Sequence, residues 1–221
     1  MGKVERPAEG LANFRWIIPG WLAGSAVPLS IEAVEKAGIK VVVSFIPAEE
    51  QLFKERSWRL KAKRSGIEFH TIDIENMGVP TREQFRHFLR IMDEASKRSE
   101  RPMVLIHCMM GVGRTGTMAA AYLIARKGLF LEQAYRRIIS GLRQVHYDML
   151  ASSPGLAGRL KAKGISLKQF VRERQVRFPE SQAQENFLKA VERDFLQKTG
   201  VARRLKGPPS REKGRKPKRR K

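Results

Sequence analysis

His107-Cys108-Met109-Met110-Gly111-Val112-Gly113-Arg114-Thr115-Gly116 holds the only cysteine in a chain of 221 residues. The apolar run Met103-Val104-Leu105-Ile106 before it reads as a short buried strand, and Thr117-Met118-Ala119-Ala120-Ala121-Tyr122-Leu123-Ile124 after it as a buried helix. Cys108 therefore opens a glycine-containing loop between a strand end and a helix start. Backbone N–H groups converge at such a place and the helix dipole favours negative charge, so an anion binds there naturally. Gly111 and Gly113 let the backbone curl with its amides pointing inward. Arg114, six positions beyond Cys108, is far enough round the loop to present its guanidinium fork to the same anion. These surroundings are expected to lower the thiol pKa from a free value of about 8.5 towards or below neutrality. Thr115 is placed to donate its hydroxyl to the sulfur. An ordinary buried cysteine is the plain alternative. It requires none of the Cys-x5-Arg-Thr-Gly spacing, the preceding histidine or the strand–loop–helix context, which here coincide.

The stretch His107-Cys108-x-x-Gly111-x-Gly113-Arg114-Thr115-Gly116 resembles the phosphate-binding loop of the protein tyrosine phosphatase superfamily, in its small atypical dual-specificity branch. Far upstream, Asn13-Phe14-x-Trp16-x-x-Pro19-Gly20-x-Leu22-Ala23-Gly24, followed by Pro28, is similar to the opening of the minimal dual-specificity phosphatases and their archaeal relatives. The resemblance runs from about residue 11 to 140, with a further patch near 177–190. It implies an α/β domain with a central sheet and a phosphocysteine intermediate that water hydrolyses, without metal or other cofactor. Carried onto this chain, Cys108 is the nucleophile and Arg114 clamps two phosphoryl oxygens. The amides of Met109, Met110, Gly111, Val112, Gly113 and Arg114 complete the cradle. His107 is expected to hydrogen-bond backbone and fix the loop, and Gln184 to position the hydrolytic water, as the family's closing-segment glutamine does.

The general acid departs from the pattern. Family members place an aspartate four residues before a proline, and counting back from Pro80 reaches Asn76, which cannot donate a proton usefully. Glu75 is adjacent and Asp73 lies three residues before Asn76. Both stay candidates, with Glu75 preferred if the loop shifts slightly, and a mechanism without a side-chain acid stays open beside them. The expected substrate is a phosphorylated protein carrying phosphotyrosine, with phosphoserine or phosphothreonine second. Two alternatives remain: an RNA 5′-triphosphatase-type phosphohydrolase, and a catalytically weak phosphate-binding module. Against the former, such enzymes usually carry Asn where this loop has Gly113; against the latter stand intact Cys108 and Arg114. The apolar Met109, Met110 and Val112 argue against phosphoinositide polyphosphates, whose several charges call for lysines there.

The rest of the chain reads as alternating elements. Trp16-Ile17-Ile18 and Trp21-Leu22-Ala23 around Pro19-Gly20 suggest an opening hairpin. A helix over 30–37 ends at Gly38, Lys40–Phe45 is a β-branched strand, 49–64 a basic helix and Gly66–Ile72 the next strand. Pro80-Thr81-x-x-Gln84 starts a helix with a capping box, carrying Phe85, Phe88, Leu89 and Met92 at core spacing. Helices over 114–127 and 131–140 follow. Together these predict an α/β fold, with a central, mainly parallel sheet flanked by helices. The catalytic domain is expected over 11–200, with a helical insertion at 141–176 where the family has a short turn. Beyond it, 201–221 carries eleven basic residues against Glu212 alone. That tail reads as disordered, an arm for nucleic acid or another polyanion, or a solubilising tail.

The formal net charge of +22 favours anionic substrates without choosing one. One cysteine excludes an intramolecular disulfide framework, and four scattered histidines suggest no structural metal site. No apolar run reaches the roughly 20 residues of a membrane span. The expected location is cytoplasmic, or nuclear for a eukaryotic source; the oligomeric state is not legible.

Overall fold

The computed structural model describes residues 10–50, 53–98, 100, 102–151 and 178–200, with isolated positions between 155 and 166. The basic tail 201–221 and half of the expected insertion lie outside the described residues. A five-stranded sheet is built from β1 (Arg15–Ile18), β2 (Leu22–Ser25), β3 (Ile39–Ser44), β4 (Glu68–Thr71) and β5 (Met103–His107), in the spatial order β1-β2-β5-β3-β4. β1 and β2 form the antiparallel hairpin, and every other neighbouring pair is parallel.

Side-chain alternation assigns the two faces of this sheet. On β3 and β5, Val42 and Leu105 join Trp58, Ala62, Ile31 and Val34 in one buried cluster, beneath α1 (Ile31–Lys36) and α2 (Phe53–Arg64). Val41, Val43, Val104 and Ile106 point the other way, into a larger cluster with Phe88, Met92, Met118, Tyr122, Ile138 and Leu188. That second face is covered by α3 (Arg82–Lys97), α4 (Gly113–Lys127), α5 (Leu131–Ala151) and α6 (Gln182–Thr199). The split follows from right-handed crossovers. The chain moves outward from β2 to β3 to β4 by α1 and α2, then returns inward to β5, so α3 must cross the opposite face. β5 is thus where the winding reverses, and ligands bind in such sheets beyond the carboxyl ends of the strands at that point. His107 at the end of β5 is paired with Ser25 on one side and Ser44 on the other.

Two expected boundaries move. The helix expected over 49–64 begins at Phe53, because the residues before it turn: the Glu50 amide donates to Pro47 O at 3.0 Å and its side chain is used elsewhere. The helix expected to stop at 140 continues to Ala151. Its buried stripe Ala134, Ile138, Leu142 carries through Gly141, which has a packing reason to be there rather than a stop signal. The capping box is present as read: the Gln84 amide donates to Thr81 Oγ1 at 3.1 Å and the Thr81 amide to Gln84 Oε1 at 2.8 Å. Phe88, Leu89 and Met92 are buried, while Phe85 is partly buried and packs edge-on against Phe187 at 5.5 Å. Among the described residues no helix is long and apolar enough to cross a membrane.

Candidate functional site

Cys108 follows β5 directly and is buried, 3% exposed. The loop after it folds back so that the Gly111 amide donates to Cys108 Sγ at 3.2 Å. Gly111 has φ +73°, and a Cβ there would lie 2.3 Å from Ser25 O, so both conformation and space demand glycine. α4 then begins at Gly113 with Val112 as its N-cap. Val112 supplies no side-chain cap, and the first turn holds no acid. The first amides of a buried helix thus remain available at the place where the thiol sits.

A trans peptide puts its C=O and the following N–H on opposite sides, so the partners of the loop carbonyls tell where the amides aim. Met109 O accepts from the Val27 amide at 3.1 Å, Met110 O from Asn13 Nδ2 at 2.9 Å, and Gly111 O from Arg15 Nη2 at 2.6 Å. Three successive carbonyls are drawn back onto the β1–β2 segment. The amides of Met110, Gly111 and Val112 are thereby turned the other way, towards the mouth of the loop.

Arg114 is 3% exposed. Its Nη1 donates to Ile74 O at 2.9 Å and Phe45 O at 3.3 Å and pairs with Glu50 Oε2 at 2.9 Å. Glu50 escaped the sequence reading because it was placed inside a helix. The acidic pair after Pro47, just beyond a strand that ends beside β5, was the available signal. His107 is buried in full, and burial pushes its imidazole down to about 4, with a hydrogen bond to the Cys108 backbone opposing and the Arg114 charge adding to the fall. That value leaves it neutral near pH 7, and its hydrogen bond is to the Cys108 backbone.

Thr115 requires a correction. Its Oγ1 is buried and has no hydrogen-bond partner among the described residues. As the third residue of α4 it turns towards β2, where its Cγ2 lies 3.1 Å from the position of a Cβ on Gly24. The donor to the sulfur is the Gly111 amide instead.

The segment 72–80 passes over the site. Asp73, Glu75, Asn76 and Met77 are exposed. The backbone of this segment is tied down by four donors: Arg114 to Ile74 O, Gln84 Nε2 to Asp73 O at 2.6 Å, Ser181 Oγ to Met77 O at 2.9 Å, and Gln184 Nε2 to Gly78 O at 3.4 Å. Gln184 is completely buried, and its Oε1 accepts from the Glu180 amide at 2.9 Å. A Cβ on Gly113 would lie 1.7 Å from Glu180 Oε2 and 3.2 Å from Gln184 Nε2. The residue ahead of the α6 N-cap and the first turn of α6 therefore both reach the loop with a side chain. Glu180 was not singled out from sequence; an acidic residue just ahead of the Ser181 cap and Gln184 was the available signal. The structure brings Cys108, Arg114, His107, Gln184 and the loop amides together, and leaves Glu75 and Asp73 on the exposed rim. Among the described residues no cluster of three or more His, Cys, Asp or Glu is arranged to hold a metal ion.

A family model described as Swiss Army Knife protein, DSP-PTPase phosphatase domain, matches residues 11–151. Among curated proteins, the dual specificity protein phosphatase Mpk3 of Drosophila melanogaster is 31% identical over 132 residues, covering 55% of this chain and 28% of that protein. The protein-tyrosine-phosphatase IBR5 of Arabidopsis thaliana is 28% identical over 105 residues, covering 48% of this chain and 34% of that protein. The matched part thus spans about a third or less of these relatives' length. Among solved structures, Tk-PTP in its active form is 26% identical, with a TM-score of 0.55, over 82% of this chain and 97% of that one. Kinase associated phosphatase shares the fold at 18% identity, with a TM-score of 0.53, over 89% of this chain and 98% of that one.

Proposed function

For a chain that belongs to the DSP-PTPase phosphatase domain family, we propose cysteine-dependent hydrolysis of phosphotyrosine in proteins, with phosphoserine and phosphothreonine as slower substrates. The observation that carries this reading is the Cys108 sulfur, with the Gly111 amide donating to it, set at an uncapped helix start beside Arg114. The thiolate attacks phosphorus, an S–P bond forms, and the bond to the leaving oxygen breaks. The inward amides and the Arg114 guanidinium take up the charge that grows on the phosphoryl oxygens. Glu50 orients that guanidinium, while its two carbonyl partners hold Nη1.

The leaving oxygen takes a proton, which we assign to Glu75 on the exposed rim. Glu180, whose carboxylate packs against Gly113, is the competing donor. Water then attacks the phosphocysteine, the same carboxylate takes its proton, and inorganic phosphate departs. Gln184, held between Glu180 and Gly78, is the residue we assign to that water. Phosphate release from a phosphotyrosine peptide by wild type and by Cys108→Ser tests the proposal. Release by the wild type alone is expected; equal release by both removes it. The basic tail is proposed as a polyanion contact: truncation after Gly200 should weaken RNA or DNA binding and flatten its salt dependence, and unchanged binding eliminates the tail.

A further inference from the structure

Arg15 is a buried cation that none of these steps uses. It is 5% exposed, and burial lowers its guanidinium to about 10, with the charge on Cys108 pulling the other way. Burying an arginine is costly unless its donors are used. Here Nη2 donates to Gly111 O at 2.6 Å and Nη1 to Asn13 O at 3.3 Å, while Nε has no partner among the described residues.

Glycines flank it on both sides, and the one on α5 makes room for it. Gly24, its register partner on β2, would place a Cβ 3.6 Å from Arg15 Cζ. Gly141, in the interior of α5, would place one 3.2 Å from Arg15 Cδ. A glycine inside a helix is unfavourable against alanine, and the Arg15 stem is what this one accommodates. The side chain thus begins at the start of the edge strand, runs under α5, and ends against a single loop carbonyl.

That carbonyl belongs to the peptide unit whose N–H is Val112. A free 111–112 plane can flip and present an oxygen to an incoming anion; a plane held from beneath cannot. We propose that Arg15 is a positioning residue for the loop, fixing the 111–112 peptide plane so that the Val112 amide faces the phosphoryl group. The inference rests on the loop being a phosphate site, as proposed above. It assigns the aim of that amide to a residue of β1 that substrate never touches.

The test uses the full chain with Arg15→Met and Arg15→Lys. Five quantities are read: melting temperature, kcat and KM on an aryl phosphate, the inhibition constant of inorganic phosphate, and protection of Cys108 by phosphate against iodoacetamide. Losing an aligned oxyanion donor outright costs about 10²–10³-fold in kcat. A misaimed one in folded Arg15→Met is expected to lower kcat and phosphate affinity about 10–100-fold. Arg15→Lys keeps the charge but loses the planar fork, and should fall between, about fivefold below wild type. Folded Arg15→Met with phosphate affinity and kcat within about twofold of wild type overturns the proposal, whatever its melting temperature. If Arg15→Met does not fold, Arg15→Lys decides, and wild-type values there overturn it. Wild-type protein that phosphate protects but that hydrolyses nothing sinks the assigned activity and still tests Arg15 by protection. Wild-type protein that phosphate does not protect overturns both.

Discussion

Beneath the loop that follows β5, Asn13, Arg15 and Val27 meet three successive carbonyls with directed donors; above it, residues 72–80 present Asp73, Glu75, Asn76 and Met77 to solvent. Both regions are pinned, but by opposite parts of the chain. Below, donors hold the loop's own backbone, so the direction of its amides is set before any ligand arrives. Above, donors from Arg114, Gln84, Ser181 and Gln184 hold the rim's backbone and leave its side chains free. On the function proposed above, anion binding belongs to the floor and is shared by every phosphate substrate. Discrimination among leaving groups belongs to the rim. Substitutions below should act on all substrates alike, and substitutions above in proportion to how much help the leaving group needs.

The largest effect is expected at the floor's centre. Cys108→Ser should reduce turnover of every aryl phosphate below detection while phosphate still competes for the site, because the amides and Arg114 remain. Loss of phosphate binding together with turnover points to collapse of the loop and breaks the separation drawn here. Arg114→Lys comes next. The lysine keeps the charge and loses the fork, so kcat should fall about 10²–10³-fold. Melting temperature should fall only modestly, since an ammonium can still serve one or two of the acceptors Phe45 O, Ile74 O and Glu50. Equal proportional losses in rate and stability identify a structural arginine instead.

Rim chemistry is graded by substrate. Glu75→Gln should slow phosphotyrosine hydrolysis about 10²–10⁴-fold, the range for acid–base catalysis, and the loss should shrink as the leaving group becomes more acidic. Glu180→Gln, measured in parallel, decides between the two carboxylates. If Glu180→Gln shows the leaving-group dependence and Glu75→Gln does not, the acid sits against Gly113 and not on the rim. If neither does, an acid-independent reaction on a phosphoanhydride gains, and RNA 5′-triphosphate becomes the substrate to test.

Legibility follows the same division. The strand, loop and helix around Cys108 were readable because apolar runs, glycines and the Cys-x5-Arg spacing are local features. The capping box at Thr81 and Gln84 was local too. Arg15, Glu50 and Glu180 were not readable, since each acts on a residue far along the chain: Arg15 on Gly111, Glu50 on Arg114, Glu180 on Gly113. Charged residues on a strand start, in a turn and before a helix look like solvated surface until the fold brings them together. Gly141 shows the same limit: it lies just beyond the expected end of its helix at 140, and in the fold it is the gap that admits an arginine.

Acid should probe the floor without mutation. His107 titrates near 4 in the folded chain against an ordinary 6.5, so the unfolded chain takes up a proton there that the folded one refuses. Its contribution to stability is complete above about pH 6.5 and drains away as pH falls towards 4. The melting temperature should decline across that window, more steeply in wild type than in a folded His107→Gln variant. Equal slopes would show that other groups carry the decline.

The smallest effect is expected at Thr115, where sequence and structure disagree most directly. If its hydroxyl steadied the sulfur as a leaving group, Thr115→Val would slow breakdown of the phosphocysteine, and a burst of alcohol product would precede a depressed steady rate. Among the described residues that hydroxyl is buried without a partner and the Gly111 amide serves the sulfur. Valine matches threonine in shape, and a buried hydroxyl without a partner contributes nothing that a methyl group cannot. Thr115→Val should therefore keep kcat within about twofold and melt at or slightly above wild type, by far less than the rate effects above it. A clear burst in this variant would restore Thr115 to the chemistry and show that the loop rearranges when the sulfur carries phosphate.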